Sequence, residues 1–205
     1  NEIKDFKNFK CIITSRPAYI DKNFFMNVFE LIEFDIEKIE IFYKNIKGRA
    51  LDKKEKVESN LKVLGIPVIL YMAIMSNVDI GENPTKPELY NRIFAEEGGI
   101  FDRFYKEGID YSSGSQVLRS PENIKKYLRF LREVAFKMFQ KNKLSLLKKD
   151  YKIPELEFQG SFISVLEFPI RHLFENIDFD IEFIHKSIYE YFVSDYIFMS
   201  LNKGI

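Results

Sequence analysis

Residues 120–139 read SPENIKKYLRFLREVAFKMF, and this stretch decides the fold class. Ser120 suits the position before a helix, where its hydroxyl can accept a backbone N–H of the first turn. Pro121 fits the first helical position, because its missing N–H would be unpaired there anyway. Glu122 complements the positive end of the helix dipole. Behind them Ile124, Tyr127, Leu128, Leu131, Val134, Ala135, Met138 and Phe139 recur at helical spacing and form one apolar stripe. A long amphipathic helix is predicted, and the chain around it is expected to be mainly α.

Upstream, the pattern changes. Residues 9–14 are β-branched and nearly all apolar, as in a strand covered on both faces, and Pro17 ends the run because it lacks a ladder N–H. Residues 30–34 form a second possible strand. Asp35 can cap a helix starting at Ile36, with Ile36, Ile39, Phe42, Tyr43 and Ile46 on one face and Gly48 as its stop. A charged stretch over 52–58 leads into a helix that fades near Leu64. Pro67 then opens a segment, 68–75, that is apolar on nearly every side and is expected to be a buried helix. Asn83-Pro84 and Lys86-Pro87 mark a turn, and a helix over 88–97 is expected to end at Gly98-Gly99. Residues 107–119 contain Gly and Ser and read as a loop and domain boundary. A last helix, 185–201, carries Ile188, Tyr191, Phe192 and Met199 on one side and Tyr189, Val193 and Tyr196 on another. It is expected to be wedged between neighbours.

Composition narrows the function classes. Lys plus Arg and Asp plus Glu both number 31, so net charge is near zero, which argues against general nucleic-acid binding by bulk electrostatics. Within that balance, residues 121–152 hold ten Lys or Arg against three acids, and 153–184 hold seven acids against one Arg. The two stretches read either as solvated faces, packed on each other, or as a docking patch for a charged partner. Cys11 stands alone, so no internal disulfide and no zinc spacing exist, and a reducing, cytoplasmic setting is expected. No apolar run reaches membrane-spanning length, and the first residues do not form a signal peptide. The chain begins without Met and is expected to be part of something longer. The 21 Phe and 11 Tyr, with no Trp, predict Phe-rich packing between helices.

Three short phrases occur in order: IITSRP at 12–17, LGIP at 64–67 opening the apolar helix, and FIHKSIYEYF at 183–192. Each alone is ordinary strand-end or helix-start chemistry. Together, at these separations, they resemble the NACHT family of signalling NTPases within the STAND class. The last phrase is similar to that family's F-x-H-x-S-F-x-E-Y-F signature, with Ile188 where Phe is usual. The resemblance implies that 1–34 is the end of an α/β nucleotide-binding domain, 35–105 a small helical domain, 106–119 a linker and 120–205 a winged-helix domain.

The resemblance also implies roles. Arg16 would be the sensor arginine near the terminal phosphate, a task that suits an always-charged guanidinium fork. Pro67 would pack on adenine or ribose. His185 would donate an N–H to the β-phosphate of ADP and hold the protein closed. His172 matches nothing in the signature and reads as structural. ADP or ATP, with Mg²⁺, is the cofactor expected in the parent protein, and none is expected tightly bound to this chain.

Neither a G-x-x-x-x-G-K-[ST] phosphate loop nor a strand ending in Mg²⁺-holding acids occurs. In the family both precede the Ser-Arg-Pro strand, so they are expected before Asn1, and this chain alone is expected not to hydrolyse nucleotide. No catalytic residue and no metal ligand is assigned. Expected partners are the rest of the parent chain, with its P-loop half and sensor region, and further copies on activation. No membrane partner is expected. Immune or antiphage signalling is the implied setting. The alternatives are a winged-helix DNA-binding module, favoured by the basic stretch, and a helical protein-interaction domain without nucleotide.

Overall fold

The structure, a computed structural model, describes residues 32–52, 63–78, 84–106, 120–152, 154–158, 161–164, 169–174 and 179–202. The chain divides into two units, Asn1–Ile32 and Glu33–Ile205. The second unit is mainly helical, with six helices among the described residues. The strand expected at 9–14 lies outside the described residues. In the second expected strand, residues 32–34 carry no sheet pairing. Instead the Phe34 N–H donates to the Gly65 carbonyl at 2.7 Å, which ties the start of this unit to the turn before Pro67.

Helix α1 spans Ile36–Lys47. Asp35 caps it through the Lys38 N–H at 2.9 Å, and Gly48 ends it at φ 71°, a conformation that a Cβ would strain. Ile39 and Tyr43 are buried and Phe42 half-buried, but Ile36 and Ile46 are exposed. The apolar face is therefore narrower than the spacing suggested. Helix α2, Pro67–Met75, starts at Pro67 and buries Ile69, Leu70, Met72, Ala73 and Ile74. Residues on every side of its axis are covered, which its uniform apolarity required.

Helix α3 spans Lys86–Ile93, starting two residues earlier and ending four residues earlier than the helix expected over 88–97. Lys86-Pro87 is its first turn rather than a preceding loop. Thr85 is the cap: its hydroxyl accepts the Glu88 N–H, and the Glu88 carboxylate accepts the Thr85 N–H. This reciprocal pair sets the start, and the first turn tolerates Pro87 because the N–H that proline lacks would have no partner there. Gly98 (φ 71°) and Gly99 lead into helix α4, Ile100–Lys106, which the spacing did not reveal. The Gly98 N–H donates to the Asp102 carboxylate at 2.7 Å.

Helix α5, Pro121–Gln140, is the helix of residues 120–139, capped by Ser120 as expected. It is about 30 Å long at 1.5 Å per residue. Its stripe from Ile124 to Met138 is buried, while Phe139 is 54% exposed. Five short strands follow: β1 (Ser145–Leu146), β2 (Glu155–Phe158), β3 (Ser161–Ser164), β4 (Ile170–Phe174) and β5 (Phe179–Phe183). Strands β1, β5 and β4 make one antiparallel sheet in that order, with Leu146 opposite Ile181 and His172 opposite Ile181 on the other side. Strands β2 and β3 make a separate antiparallel pair. A single 3-10 turn, Lys148–Asp150, lies between β1 and β2. Helix α6, Lys186–Asn202, closes the described chain.

Residues 35–105 and 120–205 contribute to one connected core, with Leu70, Ile93, Phe101, Tyr127, Leu131, Ile181 and Phe192 all buried. Each such aliphatic or aromatic side chain contributes about 1.5–3 kcal/mol when removed from water. Helix α3 packs on α2 and on α6, and α5 packs along α6. Among the described residues, no helix is long and apolar enough to cross a membrane.

Candidate functional site

The polar cluster that stands out is at the start of α6. Strand β5 ends at Phe183, and the Ile184 N–H donates to the Pro169 carbonyl at 2.9 Å, which fixes the approach of the chain. His185 then occupies the position before the first helical residue. Its carbonyl accepts the N–H of Ile188 at 3.1 Å, and its ring nitrogen Nδ1 accepts the Ser187 N–H at 3.2 Å. The imidazole thus does the work usually done by a Ser or Asp side chain at a helix start. Residues with oxygen caps are the common choice, so a histidine here uses a group that can also donate through its far nitrogen.

A second contact joins the same atoms. The Ser187 hydroxyl lies 2.6 Å from His185 Nδ1 and 2.6 Å from the Tyr90 hydroxyl. Ser187 is buried, and so is Tyr90, which comes from α3, 97 residues earlier in the chain. Burial pushes the Tyr90 phenol up to about 12, with the nearby Glu190 acting the same way and the Ser187 hydrogen bond opposing both. Tyr90 is therefore a neutral O–H at any physiological pH.

Aromatic rings hold this corner. Tyr90 stacks on Tyr191 at 5.2 Å between centroids, and Tyr191 stacks on Phe94 at 5.7 Å. Phe94 meets Phe192 at 4.9 Å and Phe101 at 6.2 Å, and Phe101 meets Tyr127 edge-on at 5.6 Å. Helices α3, α4, α5 and α6 thus share one run of rings, the packing that the Phe and Tyr content predicted. Burial also pushes the Tyr191 phenol up, helped by Asp195. Asp195 accepts from Arg132 Nε at 2.7 Å, with these side chains only 16% and 18% exposed, and this ion pair is a second tie between α5 and α6.

Charge at the start of α6 comes as a pair. Its first turn holds no acid, and Lys186 is exposed, 3.4 Å from Glu190 one turn along. The helix dipole favours an anion at this end, and Glu190 answers the charge of Lys186.

Of the three residues assigned from the sequence, His185 stands at this cluster. Pro67 is exposed at the first position of α2, with Ile66 before it offering no side-chain cap. Pro67 and His185 therefore stand on elements that share α3 as a neighbour. Arg16 lies outside the described residues. His172 is placed in β4, with its Cα opposite Ile181. Tyr90 and Ser187 were not assigned. Ser187 stood inside the quoted phrase, and a Tyr on the apolar face of α3 signals a hydroxyl in need of a partner. Among the described residues no group of three His, Cys, Asp or Glu could hold a metal ion. Comparison with protein-family models, curated proteins and solved structures finds no match to this chain.

Proposed function

We propose that this chain is the regulatory, nucleotide-sensing part of a NACHT-type signalling switch. His185 contacts the β-phosphate of ADP from the C-terminal lobe and holds the closed state. The observation that carries the reading is the cap at α6. The His185 imidazole accepts the Ser187 N–H through Nδ1 just ahead of Lys186, at a helix start whose dipole has the right sign for a phosphate. ADP then favours the closed state because it touches more groups there, and its exchange shifts the population toward an open, assembling form.

Two further features support the winged-helix part of the reading. The sheet runs β1, β5, β4, so the first strand pairs with the last and the last with its hairpin partner. Helices α5 and α6 flank it in sequence. The resemblance also implies a role for Pro67 on the nucleoside and, separately, one for Arg16 on the terminal phosphate. Hydrolysis is not part of the reading, because the sequence contains no phosphate-loop motif. Immune or antiphage signalling is the setting we favour.

The alternative of a DNA-binding module gains less support. Described residues between β1 and β4 form a 3-10 turn and a strand pair, where a groove reader presents a helix. Several cations of the basic stretch are locally paired: Arg129 with Glu133 at 2.9 Å, Lys141 with Asp150 at 2.6 Å and Lys126 with Glu122 at 4.0 Å.

The test uses protein expressed from the complete reading frame. Nucleotide released on denaturation is identified, and its dissociation rate is measured for wild type and His185→Ala. Faster loss of ADP by about tenfold is expected, as for a charge-assisted contact removed from a half-buried site. Equal ADP retention in the two proteins would end the proposal.

A further inference from the structure

The apolar side chains of α6 do not stop at its buried face. Ile188, Phe192 and Val193 are buried, but Ile197, Phe198, Met199 and Leu201 in its last turns are exposed, Leu201 to 72%. The end of α5 repeats this, with Phe139 exposed and Leu144 exposed just beyond it. The two ends lie together. A run of rings, Tyr127, Phe101, Phe94 and Phe192, joins the earlier turns of α5 and α6. Further along, Arg132 meets Asp195, and Phe136 stacks on Tyr196 at 4.3 Å and on Phe139 at 6.2 Å. The end of α5 is also held in place. Asn142 takes φ 50°, and the N–H groups of Asn142 and Lys143 donate to the carbonyls of Phe139 and Met138, at 3.0 and 2.9 Å. This left-handed stop is often followed by an apolar residue folded back on the helix. Here that position is Lys143, and Leu144 stays outside.

The same end is basic. Residues 137–152 hold six Lys and one acid, Asp150. Asp150 accepts from Lys141 Nζ at 2.6 Å, and that hydrogen bond holds its carboxyl below the usual carboxylate range, with the charges of Lys149 and Lys143 acting the same way. Three lysines thus surround one carboxylate, and Lys137 is exposed on the last turn of α5. Lysines at a helix C-terminus complement its dipole, which accounts for Lys137 and Lys141. The dipole does not account for Lys149, nor for Phe139, Leu144 and Phe198 standing in water. We propose that this shared end of α5 and α6 is a docking surface for an anionic lipid bilayer: Phe139, Leu144, Phe198 and Leu201 enter the headgroup boundary, and Lys137, Lys143 and Lys149 meet the lipid phosphates. Apolar and basic groups together are what a peripheral contact needs, because one signal alone holds a protein only marginally at a membrane. Lysine suits the rim, since its stem lies along the apolar layer while the ammonium stays in water. The apolar groups stand on helix ends and a turn, a convex shape that a yielding surface accommodates, whereas a peptide helix takes a groove. No spanning helix is required, so the shortness of the apolar runs does not oppose such a contact. Docking of this kind is independent of any nucleotide contact at His185.

Vesicle flotation of protein from the complete reading frame tests this. Vesicles of phosphatidylcholine and phosphatidylserine, at about two to one, are compared with phosphatidylcholine alone. The wild type is expected to float with the mixed vesicles, to stay behind with the neutral ones, and to come off as salt is raised. Lys143→Gln combined with Lys149→Gln should weaken binding about twentyfold, the product of two lysines at an anionic surface. Phe139→Ser combined with Phe198→Ser should weaken it at least as much, by removing the apolar contact. All four side chains are exposed, so thermal unfolding of both variants should match the wild type. Should the phenylalanine pair unfold, the lysine pair, which removes no packing, decides. No flotation of the wild type, equal flotation with neutral vesicles, or flotation unchanged in both variants each overturns the proposal. Failure to float, with the phenylalanine pair instead changing the protein's sedimentation, overturns it in favour of a protein partner.

Discussion

Helices α3 and α6 begin in opposite ways. The start of α3 is closed by its own residues: Thr85 and Glu88 satisfy each other's backbone N–H groups within one turn, at the exposed surface. The start of α6 is closed by an imidazole, and the serine that shares it leans on a tyrosine 97 positions away. A local cap stabilises a helix and reports nothing about the rest of the molecule. A cap that depends on another helix couples the two. The difference teaches where a switch can be built into this fold, since only the second kind of start can sense whether a distant element is docked.

The largest effect should come from removing the shared ring. Tyr90→Ala takes away a fully buried aromatic and both stacks, and should lower stability by about 3–5 kcal/mol in chemical unfolding. A loss near that of Thr85→Ala would mean that α3 is not docked on α6 as described.

A double-mutant comparison sharpens the contrast. Tyr90→Phe and Ser187→Ala act on one hydrogen-bonded chain, so their stability losses should fall short of additivity by about 1 kcal/mol. Thr85→Ala alone should cost about 1 kcal/mol and should add to Ser187→Ala within about 0.5 kcal/mol, because the two share no partner. Additivity in both pairs would show that the α6 start is as local as the α3 start.

The smallest effect is acid dependence at α3. The Thr85 hydroxyl and N–H hold the Glu88 carboxylate below its ordinary value of 4.5. A depressed folded value gives stability that is present above 4.5 and lost as pH falls through the folded value. Glu88→Gln should remove that part of the pH dependence from unfolding curves taken below pH 5. Identical acid slopes for the two proteins would show that the capping box does not form.

Much of this was legible in the sequence, and the reasons are local. Ser120-Pro121-Glu122 and the stripe behind it define α5 because cap, first turn and apolar period all agree at one place. Asp35, Gly48 and Pro67 mark helix ends for the same reason. The start of α3 was misjudged because Lys86-Pro87 resembles a turn when the Thr85–Glu88 reciprocity is overlooked. Helix α4 is only seven residues long, too short for a period to declare itself. Strand β5 alternates Phe179, Ile181 and Phe183 with Asp180 and Glu182, but five residues are too few for a period of two to stand out from an acidic stretch. At the site, His185 stands inside the phrase at 183–192. Tyr90 was not legible, because a contact spanning 97 residues leaves no trace in spacing.

The lack of tryptophan has a practical consequence at this corner. Near-ultraviolet dichroism of the protein comes from tyrosine and phenylalanine, with no indole to swamp it. The stacked pair Tyr90 and Tyr191, 5.2 Å apart at 21° across the α3–α6 seam, should contribute to that signal through the coupling of their transitions. Opening of the seam would then be visible as a change in ellipticity, without a dye or a label.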